Sequence, residues 1–122
     1  MQRKWLFLGA VLAGLSVALG AFGAHGLRGL VTPDLLANYE TAARYQMYHA
    51  LALLAVAFVG ADERRARPAD IAGWLFVIGV AIFSGSLYVM TFTGLRWLGA
   101  ITPIGGAAMI GGWAALAVAA RR

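Results

Sequence analysis

The amino-acid sequence predicts an all-α membrane protein, a four-transmembrane-helix bundle, and three observations carry that expectation. Hydrophobic residues make up 61% of the 122-residue chain and only 12% are charged, against ~45–50% apolar and ~25% charged in an average soluble domain. With a mean hydropathy of +0.77, so short a chain lacks the polar residues to cover a water-facing surface, whereas lipid accepts it. The apolar residues fall into four runs, each near the ~20 residues that a helix needs to cross ~30 Å of hydrocarbon. The ten Lys and Arg behind the net charge of +5 sit in short clusters between those runs. Such clusters orient a membrane protein rather than bind nucleic acid. The chain has no Cys, which excludes a disulfide frame and a thiolate metal site. A single membrane domain over residues 1–122 is expected.

The first span is expected over residues 5–25. Trp5 to Ala24 carries no formal charge and follows Arg3 and Lys4. A secretory leader has similar flanks, but its apolar part is usually ~7–15 residues, so a retained span fits better. The second helix is expected over 33–61, with 44–61 in the membrane. Thr32-Pro33-Asp34 reads as a start: Thr as the cap, Pro at the first helical position and an acid in the first turn. Glu40 and Arg44 have the i, i+4 spacing of an ion pair. The third span is expected over 71–95. The fourth, over 97–120, contains Thr102-Pro103, where Pro either kinks the helix or begins its regular part; the likeness to Thr32-Pro33 favours a beginning. If four spans alternate, Arg3, Lys4, Arg64, Arg65, Arg67, Arg121 and Arg122 share one side, opposite Arg28, Arg44 and Arg96. The positive-inside rule then places both termini in the cytoplasm.

Ser16 to Arg28 and Ser84 to Arg96 agree at five of 13 positions, and Thr-Pro follows both. This reads either as a duplicated helical hairpin or as a chance match in low-complexity apolar sequence. Lipid gives no hydrophobic drive for helices to associate, so small residues that admit close approach must help. Gly9, Ala13, Ser16, Gly20 and Gly23 form one such stripe. Gly105, Ala108, Gly112, Ala115 and Ala119 form another. They serve either packing within the chain or a seam between two copies.

Asn38, Thr41, Tyr45 and His49 share a face of the second helix, with Gln46 on its edge. Ser84, Tyr88 and Thr91 share a face of the third, and His25 ends the first span. Polar groups in a membrane helix are costly unless satisfied, so these should point inward. The pocket candidates are therefore His25, Tyr45, Gln46, His49, Ser84, Tyr88 and Thr91, converging near the outer surface. Three uses remain open: hydrogen bonds that fix helix register, a pocket for a lipid headgroup or small polar solute, and a haem or metal held between His25 and His49. No catalytic residue, metal set or cofactor is expected. Ser84 and Ser86 do not form a nucleophile elbow, and no Asp or Glu lies within the four apolar runs, which argues against proton-coupled transport.

Gly20-Ala21-Phe22-Gly23-Ala24-His25-Gly26-Leu27, Tyr45-Gln46-Met47-Tyr48-His49-Ala50-Leu51, Phe83-Ser84-Gly85-Ser86-Leu87-Tyr88 and Ile101-Thr102-Pro103-Ile104-Gly105-Gly106 resemble the YgdD-like family. These are small bacterial inner-membrane proteins with a domain of unknown function, and they have animal relatives. The resemblance implies a multi-pass protein of the cytoplasmic membrane and implies no activity. The expectation is a structural or accessory protein, or one that binds lipid or a small ligand. Its partners would be membrane lipids and either a second copy or a larger membrane complex. The alternative is an oligomeric channel or carrier of small solutes.

Overall fold

The structure, a computed structural model, describes residues 2–122. Helix α1 spans Arg3–Phe22 and runs on through one π-helical turn, Gly23–Leu27. Helix α2 spans Pro33–Val59 and α3 spans Ala66–Thr93. A 3₁₀ turn, Arg96–Ala100, leads into α4, Thr102–Arg121. The only extended pairing among the described residues is an isolated bridge between Arg28 and Val31, so the chain is all-helical.

Three stretches are long and apolar enough to cross a membrane: Arg3–Leu27, Ala66–Thr93 and Arg96–Arg121. α2 is not among them, so length and apolarity support three of the four expected spans. Arg44, Gln46 and His49 dilute its apolar character. Yet Gln46 and His49 are buried, so their polarity faces the other helices.

The helices pack in chain order: α1 on α2, α2 on α3, α3 on α4, with a lighter contact between α2 and α4. The small-residue stripes make the outer seams. A Cβ added at Gly9 would lie 2.8 Å from the Ala50 carbonyl oxygen of α2, and one at Gly23 would meet the Tyr39 ring at 2.6 Å. Ser16 is buried on the same side and Ala13 is half-buried, but Gly20, expected in this stripe, makes no close approach, since a Cβ there would meet nothing within 4 Å. On α4, a Cβ at Gly105 would lie 2.7 Å from the Gly79 carbonyl oxygen of α3, and one at Gly112 would meet the Phe76 ring at 2.7 Å. Ala108 is half-buried along this seam. Gly79 and Gly73 of α3 give the reverse fit, to Met109 and to Trp5.

Polar contacts fix the levels at which the helices meet. Gln2 Nε2 donates to the Gly60 carbonyl at 3.1 Å, and Trp5 Nε1 donates to Asp70 Oδ1 at 3.0 Å. Lys4 pairs with Asp70 at 2.8 Å. The start of α1, the end of α2 and the start of α3 therefore share one level. At the opposite end Arg96, between α3 and α4, pairs with Asp34 at the head of α2.

Several expectations need correction. Thr32 occupies the cap position of α2, but its side chain makes no cap hydrogen bond. Thr102 is the first residue of α4 rather than its cap; its hydroxyl meets Ser86 Oγ at 2.6 Å instead. Pro103 does begin a helix, as expected, because α4 starts one residue before it. α3 starts at Ala66, because Pro68 fits a first helical turn. Glu40 and Arg44 form no ion pair: Arg44 Nη2 donates to Thr41 Oγ1 at 3.4 Å. The two Gly-Leu-Arg segments also differ. Gly94 ends α3 in the left-handed region at φ 73°, a conformation that suits Gly, whereas Gly26 lies within the π-helical turn.

Candidate functional site

α2 places polar side chains against all three other helices, and they gather in two groups. The first lies between α1, α2 and α3. Gln46 Nε2 donates to the Leu12 carbonyl of α1 at 2.9 Å, and Gln46 Oε1 accepts from Tyr88 Oη of α3 at 2.7 Å. A single amide thus ties three helices together. Tyr88 meets the Tyr39 ring edge-on at 5.4 Å. Tyr39 Oη donates to the Leu19 carbonyl, a reach that Gly23 permits by having no Cβ in the way. Ser84 Oγ donates to the Ala42 carbonyl at 2.8 Å. Thr91 Oγ1 lies 2.8 Å from the Leu87 carbonyl and 3.3 Å from that of Leu35. These bonds satisfy groups whose burial would otherwise be costly.

The second group lies between α2, α3 and α4. His49 Nδ1 is 2.7 Å from the Tyr45 carbonyl, and Trp113 Nε1 donates to His49 Nε2 at 3.1 Å. A carbonyl only accepts and an indole N–H only donates, so these partners assign the proton to Nδ1 and keep the ring neutral. Phe76 packs against both rings, with centroids 5.5 Å from His49 and 5.0 Å from Trp113. Beside this cluster a groove of about 490 Å³ opens between α2 and α4. Its walls include Tyr45, Tyr48, Phe83, Met109, Ile110 and Trp113, with His49 at its edge. The lining is mainly apolar, and Tyr45, Tyr48 and Trp113 are exposed along it.

The expected single pocket is therefore divided. Gln46 and Tyr88 touch, Ser84 and Thr91 brace the same α2–α3 seam, and Tyr45 and His49 turn toward α4. His25 joins neither group and is exposed on the π-helical turn. That turn packs at the level of Tyr39, since Gly23 abuts its ring. Ten residues of α2 separate Tyr39 from His49, about 15 Å along the axis at ~1.5 Å per residue. The two imidazoles thus lie at different depths, and both nitrogens of His49 already have partners. Neither fact suits a bis-His haem.

Tyr39, Trp113 and Phe76 were not among the expected site residues. An indole N–H in an apolar stretch usually finds a partner, so Trp113 inside an otherwise apolar run was the available signal.

The DUF423 family, described as a protein of unknown function, matches residues 19–106. The chain belongs to this family. The chain is similar to the UPF0382 membrane protein YwdK of Bacillus subtilis, 47% identical over 119 residues, covering 98% of this chain and 97% of the relative. A UPF0382 membrane protein of Staphylococcus haemolyticus is 44% identical, covering 96% and 94%. Another from Staphylococcus aureus is 45% identical, covering 97% and 95%. These names state a membrane location and no activity. No solved structure matches the chain. The DUF423 match takes in every polar side chain of the first group, though not Leu12, and of the second group it takes in all but Trp113.

Proposed function

We propose that this chain is a non-enzymatic accessory protein of the bacterial cytoplasmic membrane that holds an apolar ligand, such as a lipid acyl chain, in the groove between α2 and α4. The observation that carries this reading is a contrast. The buried Gln46, His49, Ser84 and Thr91 spend their polar atoms on neighbouring helices and carbonyls, which leaves none poised as nucleophile or base. The open space beside them is an apolar, aromatic-walled groove, the form of a site for an apolar ligand. The YgdD-like resemblance agrees with a cytoplasmic-membrane location.

The reading takes residues 1–122 as one domain with four spans and both termini in the cytoplasm. Its support is geometric. α1 leaves the level shared by Gln2, Gly60 and Asp70, and α3 starts again from that level. The chain must therefore return between Leu27 and Ala66, and α2 is the helix that returns it. If α1 crosses, α2 crosses beside it. The basic residues at both termini and around Arg65 favour the cytoplasm for that shared side.

Native mass spectrometry of protein purified from its own membrane tests the ligand. We expect a lipid mass retained by the wild type and depleted in Ile110→Trp, which fills the groove. Equal retention in both would overturn the groove assignment. Saturable solute uptake by proteoliposomes would replace it with a carrier.

A further inference from the structure

We infer that a second site, on the seam between α1 and α2, clasps the phosphodiester and ester groups of a membrane phospholipid, through Arg44 and Ser16. The inference rests on the four-span reading but not on the α2–α4 groove.

Ser16 is only 4% exposed. Among the described residues its hydroxyl has no hydrogen-bond partner. A serine in a membrane helix ordinarily donates to the carbonyl four residues back. For Ser16 that is Leu12, which already accepts the helical N–H and Gln46 Nε2. A carbonyl oxygen has two lone pairs, so the usual acceptor is taken. Ser16 lines a groove of about 350 Å³ with Gly20, Glu40, Ala43, Arg44 and Met47. A Cβ at Gly20 would meet nothing within 4 Å, so there is open space beside the serine.

Arg44 supplies the charge. It is exposed, and among the described residues it holds no ion pair. A lipid-facing Arg without a counter-charge is costly, so an anion at this place is favoured. Its guanidinium points toward the N-terminal end of α2, where it meets Thr41. Measured from the Gln2–Gly60 level at ~1.5 Å per residue, Ser16 lies about 21 Å and Arg44 about 24 Å across, in ~30 Å of hydrocarbon. The guanidinium, reaching further along, meets the phosphate layer. The hydroxyl, set deeper, meets the ester carbonyls beneath it. Glu40, one turn nearer that surface on the same groove, faces the part of the headgroup beyond the phosphate. It disfavours a free inorganic anion there and suits a headgroup bearing an ammonium, as in phosphatidylethanolamine.

Titration of detergent-purified full chain with phosphatidylethanolamine, read by native mass spectrometry, tests this. We expect Arg44→Gln to weaken binding about tenfold, as loss of a charge-assisted contact does, and Arg44→Lys to restore part of it. Ser16→Ala should weaken the ester-linked lipid about threefold, the scale of one neutral hydrogen bond. It should leave the ether-linked analogue, which lacks the carbonyls, unchanged. Lipid-free Ser16→Ala should melt no lower than wild type, because no internal bond is lost. Gly20→Leu should block binding at this site while leaving any lipid in the α2–α4 groove in place. Equal binding by wild type and Arg44→Gln, equal sensitivity of both lipid analogues to Ser16→Ala, or displacement of the lipid by millimolar inorganic phosphate would overturn the assignment.

Discussion

At the scale of single residues, the polar side chains of α2 act as ties between helices, and each tie predicts a loss. Gln46→Leu removes bonds to both α1 and α3. It should cost about 1–2 kcal/mol in detergent unfolding, since interhelical bonds in membranes average ~0.6 and reach ~1.7 kcal/mol. Trp113→Phe keeps the ring packing but leaves His49 Nε2 without its donor, and should cost about 1 kcal/mol, the net worth of one hydrogen bond. Asp34 is charged chemistry outside the apolar stretch. A hydrogen bond from Thr32, then one from Arg96, lowers its carboxyl from 3.8 to about 2. A depressed folded value stabilises above the unfolded one and is lost as pH falls. Melting temperature should therefore hold above about pH 4 and decline toward pH 2, with a smaller decline in Asp34→Asn. The residue types were legible in the sequence: Gln46, His49, Ser84, Tyr88 and Thr91 had to turn inward. Their division into two groups was not. It depends on which neighbour each α2 side chain meets, and 3.6-residue periodicity alone does not reveal that.

At the scale of elements, glycine sets how closely the helices approach, and the effect is selective. Gly105→Ala places a methyl 2.7 Å from the Gly79 carbonyl oxygen and should cost about 1–3 kcal/mol, as overpacking does. Gly14→Ala meets nothing within 4 Å, and should be neutral or stabilise by up to about 1 kcal/mol through helix propensity. Steric-trap unfolding of the two variants checks the contrast. The stripes through Gly9 and Gly105 could be read from spacing, as could the helix starts near Pro33 and Pro103. The π-helical turn at Gly23–Leu27 could not. Gly-Ala-His-Gly-Leu gives no pattern that separates a π-turn from an α-turn, and the Tyr39 ring that abuts Gly23 comes from another helix. Thr32 and Thr102 misled for a related reason, because a cap forms only if the hydroxyl has no better partner; Thr102 has Ser86.

At the scale of the whole molecule, the least apolar helix, α2, packs against all three others. Gln46 and His49 of α2 are buried against its neighbours, while Leu51 and Phe58 on its other faces are exposed. Hydropathy reads α2 as the weakest span because it averages over all faces of a helix. The absence of Cys makes the arrangement directly measurable. Single cysteines at Leu30, Ala61 and Arg122 can each be tested in intact cells with a membrane-impermeant maleimide. A four-span bundle with both termini inside gives labelling at Leu30 alone, with Ala61 and Arg122 reacting only after the membrane is opened. Labelling of Leu30 and Ala61 from the same side would mean that α2 does not cross, and would contradict the four-span bundle.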